Sequence, residues 1–241
     1  VHPPERKETA EAPVERLPWP PEVIVLLSQH IGAPAKALVE KKQQVARGEL
    51  IAEAGGFVSV PMHAPVAGTV SAVDLALNPK GDLAPAITIK VDPEADQETL
   101  CGTPRDMDNL RLSPDALVKA VQDTGLVGLG GVAFPTHVKL KVPEGKKIEV
   151  VVVNGCECEP YLTTDYRLMV EQADKVIEGL RIVLQATGAP EAVIAIENNK
   201  PAAVDAMMRA IPPGEPISVT SLTTKYPQGA EKMLCDVILH R

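Results

Sequence analysis

The alternation of strand-like and helix-like segments after residue 110 most constrains the fold of this chain. Apolar runs long enough for buried strands are predicted at 148–153, 192–196 and 217–222. Helical patterns separate and follow them at 165–187, 201–210 and from 228 onward. Because strands joined through helices pair in parallel by right-handed crossovers, this part of the chain is predicted to form an α/β sheet.

A further helix is predicted between Ser113 and Gly125, ahead of the first of these strands. Ser113 is a good N-cap, and Pro114 and Asp115 suit the first turn of a helix. Gly125 is a natural end for it. The predicted apolar face consists of Leu117, Val118, Val121 and Leu126.

The first third of the chain has the texture of a small all-β unit, in which Gly and Pro separate short alternating runs. Strands are predicted at 23–27, 38–40, 50–52, 58–60, 68–73 and 87–91. The proline-rich lead is predicted to be an extended arm laid over a domain. The predicted domains are an arm at 1–21, a β module at 22–92, a linker at 93–109 and an α/β domain at 110–241.

Composition excludes several classes of function. A formal net charge of -8 argues against nucleic acid as a partner, because phosphate backbones are bound by Lys and Arg. The four cysteines contain no C-x-x-C pair, which indicates neither a disulfide framework nor a zinc site. No apolar run reaches the roughly 20 residues that span a bilayer, so membrane association is expected only through a partner.

Two polar loops flank the predicted strand 148–153. The first, within 125–140, is rich in glycine, and its residues 128–133 formally match the dinucleotide fingerprint G-x-G-x-x-A. That fingerprint follows a strand and opens a helix, whereas here a helix precedes it and Pro135 follows it. A standard Rossmann loop is therefore not expected. Closely spaced glycines still let a backbone approach a ring or a phosphate, and a flexible turn is the alternative.

Residues after these glycines are candidates for ligand contacts. Lys139 could face a phosphate or an electron-rich ring, although a solvated surface lysine is the alternative. Phe134 could stack on a nucleotide ring or pack in a core.

The second loop is acidic and follows the predicted strand. Asn154, Glu157, Glu159 and Asp165 could accept hydrogen bonds from ribose hydroxyls or ring N–H groups. The alternative is a helix-capping cluster, in which Asp165 itself is expected to cap the next helix. The thiols beside Glu157 are expected to pack in the core. His63 and His137 have no evident partner by spacing.

Six phrases of the sequence, taken together, resemble the C subunit of the Rnf complex, a membrane-bound ferredoxin:NAD oxidoreductase. They are HPPERK (2–7), HAPVAGTV (63–70), GLGGVAFPTHVKL (128–140), VNGCECEPYLTTDYRLM (153–169), IENNKP (196–201) and KYPQGAEKML (225–234). A weaker resemblance, over the second domain alone, extends to the flavoprotein subunit of complex I and to the cobalamin reductase of propanediol-utilising microcompartments.

The resemblance implies a barrel-sandwich β module, like biotinyl and lipoyl carrier domains, followed by a Rossmann-like α/β flavin/NADH domain of the complex I flavoprotein type. It implies an FMN site that receives a hydride from NADH. By motif, the flavin contacts fall on Gly128, Gly130, Gly131, Lys139, Asn154, Cys156, Glu157, Tyr226 and Gly229. The nucleotide contacts fall on Phe134, Glu159 and Glu231. No catalytic side chain and no metal ligand is assigned.

This sequence departs from complex I at three positions. Complex I has arginine, aspartate and glutamate where this chain has Leu129, Cys156 and Ala230. Each change removes a polar contact, so the flavin is expected to be held more weakly or in a different pose.

The resemblance also implies partners, a location and missing parts. The partners are the other Rnf membrane and iron–sulfur subunits, NADH and, indirectly, ferredoxin, at the cytoplasmic face of the cell membrane. Because the chain begins at Val1 and stops at Arg241 inside a helical pattern, we expect a piece of a longer protein whose α/β domain is cut short. The 4Fe-4S clusters of Rnf C subunits are expected only beyond Arg241.

Two other functions remain open from the sequence. The chain could be a non-catalytic docking fragment with an empty flavin site. It could also be a lipoyl- or biotin-type carrier, although no lysine is expected at a hairpin tip and Lys41, Lys42 and Lys80 lack a carrier context.

Overall fold

The computed structural model describes residues 4, 6–98, 112–129 and 133–239, which form two compact units. The β unit comprises Leu17–Lys141, and the α/β unit comprises Val1–Arg16 together with Val142–Arg241. Most of the predicted linker 93–109 lies outside the described residues, so the predicted domain boundaries stay a prediction.

The β unit contains seven strands. They are β1 (Glu22–Leu26), β2 (Lys36–Ala37), β3 (Gln44–Val45), β4 (Leu50–Glu53), β5 (Met62–His63), β6 (Gly68–Leu77) and β7 (Leu83–Val91). One sheet has the order β1-β7-β6-β3 and a second the order β2-β4-β5, with antiparallel pairs throughout. Its core is aliphatic, with Ile51, Val70, Ile87 and Ile89 completely buried. Two small sheets around one apolar core are the form expected of a barrel-sandwich module.

Two predicted strands of the β unit are wrong. Residues 38–40 follow the two-residue strand β2, and residues 58–60 form no strand. A buried hydroxyl organises the second segment instead, because Ser59 Oγ donates to Ala33 O at 2.7 Å and accepts from Gly55 N at 2.9 Å. Side-chain hydrogen bonds of this kind compete with a sheet ladder for the backbone groups.

Two helices belong to the β unit, α1 (Pro114–Asp123) and α2 (Thr136–Leu140). The start of α1 is as predicted, since Ser113 Oγ accepts from Ala116 N at 3.2 Å. Leu117 is buried, but Leu126 is 50% exposed and does not belong to an apolar face. Gly125 follows the helix with φ +73°, and a methyl group on it would lie 2.6 Å from Pro61 O. Only glycine meets both requirements without strain.

The α/β unit contains a parallel three-stranded sheet in the order β10-β9-β8. Its elements are β8 (Val151–Gly155), α3 (Thr164–Glu171), α4 (Ala173–Thr187), β9 (Ala192–Glu197), α5 (Pro201–Ala210), β10 (Ile217–Leu222) and α6 (Glu231–Leu239). The parallel α/β sheet is therefore confirmed. Ile194, Ile196, Ala203 and Met207 are fully buried between the sheet and its helices.

Two predictions about this unit are wrong. The predicted helix 165–187 is two helices, because Gln172 between α3 and α4 has φ −137° and ψ 37°, which are not helical values. The predicted strand 148–153 begins later, and within the described residues β8 pairs with β9 alone, at the edge of the sheet. Its valines are half-buried rather than covered on both faces.

Within the described residues, no helix combines the length and the apolar composition needed to cross a bilayer.

Candidate functional site

The carboxyl end of β8 is joined by one asparagine to a segment 75 residues later. Asn154 Nδ2 donates to Gly229 O at 2.8 Å, and Asn154 Oδ1 accepts from Cys156 N at 3.2 Å. A methyl group on Gly229 would lie 3.3 Å from Cys156 O and 3.6 Å from Asn154 Oδ1. Asn154 therefore holds the loop before α6 against the end of the strand, with only a glycine at the point of closest approach.

The loop that Asn154 holds carries the other residues predicted from the KYPQGAEKML phrase. Tyr226 is 46% exposed, and Glu231 is exposed at the start of α6. Gln228 lies between them with 1% of its surface exposed, and its Oε1 has no hydrogen-bond partner in the structure. Because buried polar atoms are almost always hydrogen-bonded, an unsatisfied oxygen at this place fits a site built to receive a polar ligand.

The Cys156 side chain packs in the core of the α/β unit. Its thiol donates to Ala195 O, with Sγ 3.7 Å away, and packs with Leu222 and Leu234. Burial raises the pKa of the Cys156 thiol to about 12. The thiol is therefore a packing group, and its flavin contact stays a prediction.

Glu157 is buried and caps a helix. Its Oε1 accepts from Asp165 N at 2.9 Å in the first turn of α3, and its own N–H donates to Glu197 Oε2 at 3.1 Å. Burial raises the pKa of the Glu157 carboxyl, and the bond from Asp165 N opposes that shift. Asp165 was predicted to cap this helix, but Asp165 lies inside the first turn of α3. The cap is Glu157, which lies eight residues earlier in the loop after β8 (the strand-end loop) and accepts from the Asp165 N–H.

A lysine from the amino-terminal arm completes this loop. Lys7 Nζ donates to the carbonyls of Glu157, Glu159 and Leu162 at 2.7, 2.7 and 2.6 Å. The same Nζ lies 3.8 Å from Glu157 Oε2, and burial lowers the pKa of Lys7. Sequence reasoning missed this role, and the only available signal was that Lys7 ends the HPPERK phrase.

Lys200 forms a second buried ion pair beside the first. Lys200 Nζ lies 2.8 Å from Glu197 Oε2 and 3.0 Å from Asn199 Oδ1. The side chains of Lys200 and Glu197 are 5% and 1% exposed. A cavity of about 130 Å³ adjoins the two pairs; it is lined by Lys7, Glu157, Thr163, Tyr166 and Lys200, among others.

The predicted residues before β8 lie in the β unit. Gly128 N donates to Phe134 O at 3.0 Å. A methyl group on Gly128 would lie 3.4 Å from Lys139 Nζ, so the structure brings this glycine and this lysine together. Phe134 is half-buried and Lys139 is exposed. Gly130 and Gly131 lie outside the described residues.

Two residues of the β unit were assigned no partner or place by the sequence. His137 is fully buried in α2, where its Nε2 bonds Phe57 O at 2.7 Å and its ring meets the Phe57 ring edge to face. Lys80, for which no hairpin tip was expected, lies exposed in the turn between β6 and β7. Its N–H donates to Asn78 Oδ1 at 2.9 Å.

The described site residues therefore fall into two groups. Gly128, Phe134 and Lys139 belong to the β unit, and the α/β unit holds Asn154, Cys156, Glu157, Glu159, Tyr226, Gly229 and Glu231. Within the described residues, no group of three or more His, Cys, Asp or Glu side chains could hold a metal ion.

Comparisons with known proteins give two matching domain families. Residues 1–94 match the RnfC barrel sandwich hybrid domain, and residues 121–241 match the Nuo51 FMN-binding domain.

Relatives align with the whole chain. The C subunit of the Na(+)-translocating ferredoxin:NAD(+) oxidoreductase complex of Acetobacterium woodii is 45% identical over 100% of this chain and 54% of its own length. The C subunit of the proton-translocating ferredoxin:NAD(+) oxidoreductase complex of Clostridium ljungdahlii is 41% identical, over 100% of this chain and 52% of the relative. The chain thus spans about half the length of these relatives.

A solved NAD+-reducing [NiFe]-hydrogenase in the H2-reduced state is 23% identical over 52% of this chain and 24% of its own, with a TM-score of 0.43. A likeness of that size adds nothing on function. The two domain families, in this order along one chain, and the relatives aligned over its full length show that the chain belongs to the family of C subunits of Rnf-type oxidoreductase complexes.

Proposed function

We propose that this chain binds FMN and NAD(H) and takes part in electron transfer between NAD(H) and iron–sulfur clusters of a membrane-bound ferredoxin:NAD oxidoreductase. The observation that carries the proposal is that the FMN-binding family matches 121–241, the stretch in which Asn154 and Gly229 build a polar strand end. Ligands of α/β sheets bind at the carboxyl ends of the strands.

The residues at the carboxyl end of β8 are better suited to binding a flavin than to packing against another part of the protein. Gly229 meets the end of β8 without a side chain, and Tyr226 offers an exposed aromatic ring three residues earlier. The exposed carboxylates of Glu159 and Glu231 are suited to accept hydrogen bonds from ribose hydroxyls. We propose that Asn154, Tyr226 and Gly229 hold FMN and that the two carboxylates contact the nucleotide.

The glycine segment of the β unit is the second part of the proposal. Lys139 keeps an exposed ammonium beside Gly128, an arrangement that suits a phosphate or an electron-rich ring. Phe134, Gly130 and Gly131 keep the ligand contacts that the family resemblance implies for them, and so do Cys156 and Glu157. When bound, the flavin accepts two electrons as a hydride and releases them one at a time.

We further propose that the chain acts as a peripheral subunit at the cytoplasmic face of the membrane, with the other subunits of an Rnf-type complex as partners and ferredoxin as an indirect one. The names of the relatives support membership of such a complex, since they describe subunits of ion-translocating or ferredoxin:NAD(+) oxidoreductase complexes. The cytoplasmic face and ferredoxin are carried by the family resemblance alone.

The test is a titration of the purified chain with FMN, followed by anaerobic addition of NADH. We expect quenching of flavin fluorescence on binding, thermal stabilisation, and bleaching of the visible flavin absorbance by NADH. A ligand at 100 times its dissociation constant should stabilise the protein by about 2.7 kcal/mol. A chain that stays colourless and gains no stability with excess FMN would instead support a docking fragment without flavin.

A matched pair of glycine variants tests the placement of FMN. We expect Gly229→Ala to weaken FMN binding at least tenfold, because the added methyl group occupies the space beside Asn154 and Cys156. Gly179→Ala is the control in the same unit, since a methyl group there meets nothing within 4 Å. Equal FMN affinity in the two variants would remove Gly229 from the site, while urea unfolding without ligand checks that both variants are folded.

A further inference from the structure

The loop between β8 and α3 has no regular secondary structure, yet its backbone is fixed. Residues 157–162 form neither helix nor strand, so their carbonyl groups lack a ladder of donors. Three of these carbonyls, from Glu157, Glu159 and Leu162, converge on Lys7 Nζ within 2.7 Å. An ammonium has three donor hydrogens, and all of them are used here.

Lys7 reaches the loop from a segment about 150 residues earlier, and its neighbours dock beside it. Arg6 N donates to Pro160 O at 3.1 Å, and Thr9 Oγ1 lies 2.6 Å from Thr163 Oγ1 at the start of α3. The Lys7 side chain is 17% exposed, whereas that of Arg6 is 58% exposed and pairs at 4.0 Å with Glu8. Among the side chains of the HPPERK phrase that the structure describes, Lys7 is therefore the one committed to the loop.

The bonds of Lys7 have a consequence for two acidic residues. Glu157 is held in the interior, where its carboxylate caps α3, while Glu159 projects into solvent from the same short loop. The opposite placement of the two side chains depends on the path of the backbone between Glu157 and Glu159, and the three carbonyl contacts of Lys7 define that path.

We propose that Lys7 is a positioning residue for the nucleotide site: by binding the carbonyls of 157, 159 and 162 it sets the loop conformation that presents Glu159 to NADH. The inference rests on the proposed function, because it assigns Lys7 to the same site. It predicts that loss of Lys7 affects NADH more than FMN, since the contacts of Asn154 with Gly229 and Cys156 lie outside residues 157–162, whose carbonyls Lys7 binds.

The experiment compares wild type, Lys7→Met and the control Arg6→Met in the FMN-loaded full chain. In Lys7→Met we expect the NADH concentration that half-saturates flavin bleaching to rise tenfold or more, with less than a threefold change in the dissociation constant of FMN. The Arg6→Met control should match wild type in both quantities, because the backbone bond from Arg6 to Pro160 is retained. An unchanged half-saturating concentration in Lys7→Met would overturn the proposal.

Hydrogen exchange gives a second readout that needs no ligand. The amides of Glu157, Leu162 and Asp165 are hydrogen-bonded within or beside the loop, and we expect them to exchange at least tenfold faster in Lys7→Met than in Arg6→Met. If wild type is not reduced by NADH, the proposed function fails, and exchange alone decides on Lys7: faster exchange supports its positioning of the loop, and unchanged exchange refutes it. Should Lys7→Met not fold, Lys7→Gln, which keeps a neutral donor, takes its place with the same expected direction.

Discussion

The buried pair of Lys200 and Glu197 is a place where one substitution should strongly destabilise the α/β unit. Both side chains are at most 5% exposed, and the distance between Nζ and Oε2 is 2.8 Å. Glu197 Oε2 also accepts from Glu157 N, so it joins the strand-end loop to β9. Removing one partner of a buried pair costs about 3–5 kcal/mol, because it leaves a charge in the interior without compensation. We therefore expect Lys200→Met to lose about that amount of unfolding free energy.

The same reasoning predicts a partial recovery. In the double variant with Lys200→Met and Glu197→Gln, no uncompensated charge remains, so the loss should be smaller than in Lys200→Met alone. For a chain of this size, about 3–5 kcal/mol corresponds to a decrease in melting temperature of roughly 6–20 °C. The assay is urea unfolding by far-ultraviolet circular dichroism, with hydrogen exchange of the β9 amides to report on this unit.

A more exposed pair in the same unit provides the control. Arg181 and Glu215 lie 2.9 Å apart with both side chains 23% exposed, so Arg181→Met should cost about 1 kcal/mol or less. A loss of less than about 1 kcal/mol in Lys200→Met, or a double variant as unstable as the single one, would refute the account of a buried charge that needs its partner.

Three further outcomes are expected. Gly125→Ala should destabilise the β unit at least twice as much as Gly81→Ala, as measured by urea unfolding with the single tryptophan as probe. Both glycines have positive φ, but only at Gly125 would the added methyl group meet a backbone atom, 2.6 Å away. Alkylation of the native protein at about pH 8 should modify the exposed Cys235 and spare Cys156, whose raised pKa of about 12 leaves about one thiolate in 10⁴; modification of Cys156 first, by peptide mapping, would contradict its burial. Burial raises the pKa of Glu157 above its usual 4.5, so the stability that this carboxyl contributes is present below pH 4.5 and is lost as pH rises through the folded-state pKa. The unfolding free energy of Glu157→Gln relative to wild type should therefore increase with pH across that window. A pH-independent difference in urea unfolding would oppose this account.

Local sequence determined much of the α/β unit. The bounds of α5 and β10 follow from the first-turn proline Pro201 and from apolar runs. The stop of α4 follows from Gly188, which adopts the left-handed conformation with φ +67°. The parallel pairing also follows from the order of elements along the chain. These features depend on neighbours in sequence, which is why they could be predicted without coordinates.

The tertiary structure alone decided how the strand-end loop is built. Lys7 acts on it from about 150 residues away and Gly229 meets Asn154 across 75 residues, and no periodicity in a single sequence encodes such distances. The division of the acidic loop into a buried Glu157 and an exposed Glu159 likewise depends on which carbonyls Lys7 binds. The sequence by itself therefore determined which residues lie at the end of β8. Only the folded chain decided which of these residues are buried and paired and which are exposed to solvent, because burial and pairing depend on contacts between distant segments.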